Sequence, residues 1–373
     1  MRVTFPHLGN AYIAVESLLR GLGHEPVTPP PTNRRTLERG SFHSPAELCL
    51  PFKIALGNML DGLDQGADCV LMIGGWGPCR LGYYAEIQRL LLEAVGRDVE
   101  FITLEVPRGI YSRYWNQFRR LTSGARLGHV LRGARLAWAK LNAVEALENL
   151  ALQTRPRETQ HAMTTQFLKR QLDLVRRAAS LKEVEDVLHS ARQGFLQLRE
   201  SGSGQGWPLR LGVVGEIYTV VEPLANLNLE ERLGNLGVEV VRTISLAGWV
   251  TDHIFKKALG CDITAPLRRL AAGYLRGFVG GHGLETIARS AALAKERVDG
   301  IVHILPLSCM PEVVAKGILP AVSRDHQIPV LSLVVDEHTA ECGFQTRLEA
   351  FVDLVQRRVG QRVGQKQACL PWS

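Results

Sequence analysis

No apolar run in this 373-residue chain is long enough to cross a bilayer. Mean hydropathy is zero. The opening segment, Met1-Arg-Val-Thr-Phe-Pro-His-Leu-Gly-Asn10, lacks the apolar core of a signal peptide. The expectation is a soluble, cytoplasmic protein with no membrane partner. Seven cysteines are too few for a disulfide scaffold, the number is odd, and none forms a C-x-x-C pair. No P-loop or other phosphate-cradling motif is present, so the chain has no ATP site of its own. Low-complexity tracts are absent, and no repeat with a period of 20–50 residues stands out. Residues 108–140 contain no acidic side chain but eight basic ones: Arg108, Arg113, Arg119, Arg120, Arg126, Arg132, Arg135 and Lys140. Such a run is either a solvated helical face or a docking surface for an acidic partner. Trp115 and Phe118 lie inside it, but no nucleic-acid-binding motif does, so nucleic acid is not expected.

What is present reads as α/β. At 46% hydrophobic, a chain of this length can bury a sizeable core. Residues 3–5, Cys69–Ile73 and 99–104 read as strands, with helical spacing at 12–22 and 83–95. Ser44 and Glu47 resemble a capping box with Pro45 at the first helical position. Pro51 then predicts a break, which would put Cys49 in a bend between two helical pieces. Residues 106–206 are dominated by helical spacing. From residue 209 the strand–helix rhythm returns, with strands at 211–214, 238–241, 301–305 and Val330–Val335 and helices at 224–236 and 345–358. The fold expected is two doubly wound, Rossmann/flavodoxin-like lobes, residues 1–105 and 207–373, joined by a helical connecting segment, 106–206.

Cys49, Cys79 and Cys309 each lie within two residues of a proline. Cys79 and Cys309 follow strand-like runs, and α/β proteins build sites at the carboxyl ends of strands. Three soft thiolates converging from distant segments suggest a metal centre, in first place iron–sulfur. Buried packing is the alternative for each, because a lone buried cysteine behaves as a small hydrophobe. Cys342 also follows a strand and is the candidate extra ligand. Cys261 lies in a loop, Cys69 within a strand as core, and Cys369 near the carboxyl terminus.

The segments around these cysteines are long and distinctive. They include Phe5-Pro-His-Leu-Gly-Asn, His43-Ser-Pro, Cys49-Leu-Pro-Phe-Lys, Gly74-Gly-Trp-Gly-Pro-Cys-Arg-Leu-Gly-Tyr-Tyr and Glu86-Ile-Gln. The second half adds Gly215-Glu-Ile-Tyr, Glu222-Pro, Asp299-Gly-Ile, Cys309-Met-Pro-Glu, Asp336-Glu and Thr346-Arg-Leu-Glu-Ala-Phe. Together they resemble the DUF2229 family, which is related to the 2-hydroxyacyl-CoA dehydratase components and the double-cubane cluster proteins. The resemblance implies a [4Fe–4S] cluster held by Cys49, Cys79 and Cys309, or a double-cubane cluster as in the latter relatives. It implies a low-potential electron delivered by an ATP-hydrolysing activator of the sugar kinase/Hsp70/actin type. Such electron transfer drives a radical dehydration or a difficult reduction, in anaerobic metabolism, within a homodimer or a paired subunit. The chain would then be a component of an ATP-dependent reductase or dehydratase-like lyase system. Two further readings stay open: a non-catalytic cluster-bearing or activator-docking subunit, and a structural zinc protein.

The polar groups in these motifs are candidates for the surroundings of the site or for substrate binding. Arg80 and Arg347 offer charge to a cluster or a carboxylate, or form ordinary salt bridges. Glu216 follows a strand, Ser308 and Glu312 flank Cys309, and Glu47 is read as the partner of Ser44. His282, in Gly280-Gly-His-Gly, is either a proton carrier or a turn residue.

Overall fold

A computed structural model describes residues 1–74, 80–104, 119–122, 124–202, 208–256, 259–296 and 298–368. Two four-stranded parallel sheets form, with helices packed around them, so the chain is α/β with two Rossmann/flavodoxin-like lobes. The first sheet comprises β1 (Arg2–Thr4), β2 (Glu25–Pro26), β3 (Cys69–Ile73) and β4 (Glu100–Leu104), ordered β2-β1-β3-β4. Its helices are α1 (Tyr12–Gly21), α2 (Arg34–His43), α3 (Leu50–Asp64) and α4 (Tyr84–Ala94). Three long helices follow: α5 (Leu127–Thr154), α6 (Met163–Arg177) and α7 (Leu181–Ser201). The second sheet comprises β5 (Leu209–Gly215), β6 (Val238–Arg242), β7 (Gly300–Pro306) and β8 (Val330–Val335), ordered β6-β5-β7-β8. Around it lie α8 (Ile217–Val221), α9 (Leu229–Asn235), α10 (Leu246–Val250), α11 (Thr264–Ala271), α12 (Gly283–Lys295), α13 (Met310–His326) and α14 (Glu341–Ala368).

The two sheets thus repeat one strand order. In each, the first and third strands are neighbours whose connections leave in opposite directions, and the crevice between them is where such folds place ligands. Parallel strands covered on both faces read as nearly continuous apolar runs, and β7 has all seven residues buried. Among them is His303, at 0% exposure.

Helix α3 explains how the lobes are held together. Thirteen of its fifteen residues are buried, so it is enclosed on every side. One face, with Phe52, Leu56, Met59 and Leu60, packs on β3 and α4. Another, with Leu50 and Ile54, joins the core of the second sheet beside Val213, Val335 and Phe344. Burial of an aliphatic or aromatic side chain contributes about 1.5–3 kcal/mol, so these contacts fix α3 firmly against both sheets.

Helix α5 also touches both lobes. Gly21 of α1 and Gly133 of α5 cross so closely that a Cβ on either would lie 2.5–2.6 Å from the other's backbone. Further along, Glu148 of α5 pairs with the buried Arg242 of β6 at 2.6 Å and accepts from Asn10 Nδ2 at 2.8 Å. Glu145 accepts the N–H of Ala247, the second residue of α10, at 2.6 Å.

The local reading around Ser44 needs correction. Ser44 does not start a helix: it ends α2, donating its hydroxyl to the Gly40 carbonyl. Pro51 does not break a helix either, because it lies in the first turn of α3, where its missing N–H has no intrahelical acceptor to lose. Cys49 is therefore the N-cap of α3. The helix expected over 224–236 is shorter, beginning at Leu229 after a turn in which Leu227 and Asn228 both take positive φ.

Candidate metal centre between the lobes

The carboxyl edges of the two sheets face each other. Gly9, in the loop after β1, donates its N–H to Glu222 Oε2 after α8 at 2.9 Å. Gly9 has φ of +53°, and a Cβ there would lie 2.5 Å from the Val221 carbonyl oxygen, so only glycine fits this approach. On the other side of the crevice Lys53 of α3, 3% exposed at its side chain, meets Glu337 after β8 at 2.5 Å. Lys53 also donates to the Ala46 carbonyl. A charge this deeply buried is tolerated because it is paired and hydrogen-bonded.

Cys49 and Cys309 occupy equivalent local settings on opposite sides of this crevice. Each is the extended N-cap of a helix, with proline two residues later, at the second helical position. Each sulfur therefore lies at a helix N-terminus. The turn into α13 is set by Ser308, which takes φ of +67° and hands the chain from β7 to the helix. Cys309 is 7% exposed. Burial pushes its thiol well above the ordinary cysteine range, and the charge of Glu216 adds to this. The backbone N–H of Glu312 pulls the other way, while the Glu312 carboxylate and the Cys49 sulfur raise it further. The two cysteines, from opposite halves of the chain, are thus near enough to influence each other's charge.

Cys49 is half-buried, and its sulfur contacts the Tyr84 hydroxyl at the first position of α4. Arg80, in the short turn before that helix, is exposed and donates to the Glu47 carbonyl at 2.7 Å. Cys79 lies outside the described residues, as do Gly75–Pro78 of the glycine-rich turn. Among the described residues no three His, Cys, Asp or Glu side chains are grouped closely enough to hold a metal ion.

The remaining predicted residues divide into those at the crevice and those on the surface. Glu216 caps α8, accepting the N–H groups of Tyr218 and Thr219 at 3.0 and 2.8 Å. His282 caps α12 with its backbone only; its neighbour Gly283 packs against the carbonyl of Pro311, two residues beyond Cys309. Cys342 and Arg347 are exposed on α14, and Cys261 is exposed in its loop. Cys69 is core, as expected, with burial pushing its thiol up to about 12. Cys369 lies outside the described residues, as do residues 108–118 of the basic run.

Sequence reasoning named Glu312 beside Cys309 but passed over its buried partner His303. Glu312 and His303 are both 0% exposed and meet at 2.9 Å through Oε2 and Nε2. Thr286 donates to both Glu312 oxygens, and the other His303 nitrogen faces Ser332 Oγ at 3.1 Å. A histidine inside an otherwise apolar strand was the available signal. Lys53, Tyr84 and Glu337 were also within quoted motifs, yet nothing local marks them as site residues.

Comparison with protein-family models and with curated proteins finds no match to this chain. Among the described residues no helix is long and apolar enough to cross a membrane.

Proposed function

We propose that the chain is an iron–sulfur protein whose cluster is held by Cys49, Cys79 and Cys309 between the two lobes. Its role, on the DUF2229-like motifs, is that of a dehydratase-type or reductase component served by an ATP-hydrolysing activator. One observation carries the reading: Cys49 and Cys309, from opposite halves of the chain, each stand as the N-cap of a helix with proline at its second position. The donor set suits a soft metal centre. The Cys309 thiol, its pKa raised by burial, favours the neutral form until a cation draws the proton off, so metal binding and its deprotonation are linked. The N-termini of α3 and α13 favour negative charge at the sulfurs. The fixed φ of Pro51 and Pro311 limits the motion of the first helical turns. The apolar seat of α3 keeps water from one side of the site, and Lys53 brings a positive charge one turn from Cys49. A [4Fe–4S] group, when bound, supplies one-electron chemistry at low potential.

The deciding experiment is anaerobic purification with iron and acid-labile sulfide quantitation and EPR of the reduced protein. Iron and sulfide near four of each per chain are expected, with loss or conversion of the cluster in Cys49→Ala, Cys79→Ala and Cys309→Ala. Full iron and sulfide in all three variants sinks the assignment, and colourless protein with zinc but no sulfide replaces it with a structural zinc site.

A further inference from the structure

A second site lies at the opposite edge of the first lobe. Helix α1 runs from the carboxyl edge of its sheet back to the amino edge, and beside its last turn opens a cleft of about 1520 Å³. This exceeds the roughly 300–1,000 Å³ of ordinary small-molecule pockets. One wall is the start of α5, which presents Arg126, Arg132, Arg135 and Lys140. Facing it are Arg20 of α1 and the last residues of α6, including Arg176 and Arg177. The single carboxylate on the lining, Asp173, is taken by Arg177 at 2.6 Å.

Among the described residues the acids beside the cleft are fewer than its cations. Arg176 and Arg20 share one buried acid, Glu16, at 2.7 and 3.6 Å. Arg132 donates to the Gly128 carbonyl, and Lys140 to the Arg176 carbonyl. Among the described residues Arg126, Arg132, Arg135 and Lys140 form no ion pair. Lys140 is 3% exposed. Burial and the charge of Arg20 lower its pKa, against the opposing pull of Glu16 and Glu183. Several cations lining a concave wall, rather than a convex face, focus potential on a small anion. Arginine forks match the geometry of phosphate oxygens.

We infer that this cleft binds a small molecule carrying two or more clustered phosphate groups, at a site separate from the cysteine crevice. The second half of the basic run, Arg126 to Lys140, is then one wall of a binding site, completed by α1 and α6. Because the first half of α5 lines the cleft and its second half joins the lobes through Glu145 and Glu148, one helix connects the two regions.

The test is calorimetric titration of the full chain with inorganic tripolyphosphate, with citrate as a carboxylate control and oligoglutamate as an acidic-peptide control. Saturable binding is expected, at least tenfold tighter than citrate and weakened by added salt. Arg126→Gln with Arg135→Gln, both exposed positions, is expected to weaken it at least tenfold while leaving the thermal midpoint unchanged. Lys140→Met provides a second variant acting from inside the wall. A parallel titration with a nucleoside triphosphate separates bare phosphate from a nucleotide, both belonging to the inferred class. Absent saturation, affinity indifferent to the substitutions, or tighter binding of oligoglutamate than of tripolyphosphate would each overturn the inference. The same titration on Cys49→Ala keeps the result independent of the metal assignment.

Discussion

The two lobes share a strand order and both start a helix at a cysteine, yet they hold that helix by different chemistry. The third residue after Cys49 is Phe52, fully buried and edge-on to Tyr84 with ring centroids 4.9 Å apart. The third residue after Cys309 is Glu312, fully buried and bound to His303 inside the sheet. The first lobe anchors its cysteine by apolar packing and leaves the sulfur half-buried beside a tyrosine hydroxyl. The second anchors its cysteine through a polar network and buries the sulfur. Topology brings both helix N-termini to the crevice; the residue one turn in decides how each sulfur is held.

The largest effects are expected from removing those two anchors. Glu312→Ala leaves His303 and Thr286 buried without their partner, at a cost of about 3–5 kcal/mol. Phe52→Ala opens a cavity at the wedge helix and costs about 3–5 kcal/mol. The comparison predicts different responses to repacking. Phe52→Leu should recover much of the loss, whereas Glu312→Leu should not, since His303 still lacks an acceptor. Denaturant unfolding of the four variants measures this, and equal recovery at both positions would erase the distinction between the lobes.

A smaller effect is expected where the lobes touch through backbone. Gly9→Ala places a methyl 2.5 Å from the Val221 carbonyl and forces a left-handed φ on alanine. The combined strain should cost about 1–3 kcal/mol. Gly23 also has positive φ but nothing within 4 Å of its Cβ position, so Gly23→Ala should pay only the conformational part. A cost at Gly9 no greater than at Gly23 would mean that the lobes are not in contact there.

The strands were legible because parallel sheets demand continuous apolar runs, and β3, β7 and β8 have them. The polar helix α2 was not legible: only Thr36, Leu37 and Gly40 are buried, so it has no apolar stripe, and its one local signal is the capping Asn33. Ser44 misled because a serine three residues before glutamate looks the same whether it starts a helix or closes the preceding one. That Cys49 and Cys309 both start helices could be suspected from proline and strand ends. The pairing of Lys53 with Glu337, 284 residues away, could not, because long-range contacts leave no mark on local composition. The repeated strand order was equally hidden, since the two lobes share topology without a recognisable sequence period.

The smallest effect expected is a pH dependence of the lobe contact itself. Glu222 is 4% exposed, and its burial raises its pKa above the ordinary 4.5, against the opposing pull of the Gly9 N–H and of His7. The folded chain therefore keeps a proton on Glu222 at pH values where the unfolded chain has lost it. Stability from this group is complete below about 4.5 and falls as pH rises through the folded-state value. Glu222→Gln keeps the shape and the acceptor oxygen for Gly9 but cannot ionise. The difference in unfolding free energy, wild type minus variant, should be flat below the ordinary glutamate range. Above it the difference should decline with a limiting slope of about 1.4 kcal/mol per pH unit, levelling off once the folded-state carboxyl ionises. Lys53→Met, on the other side of the crevice, should leave that slope in place. A difference that stays flat, or that rises with pH, would show that the carboxylate is stabilised where it sits and that this contact favours the ionised form.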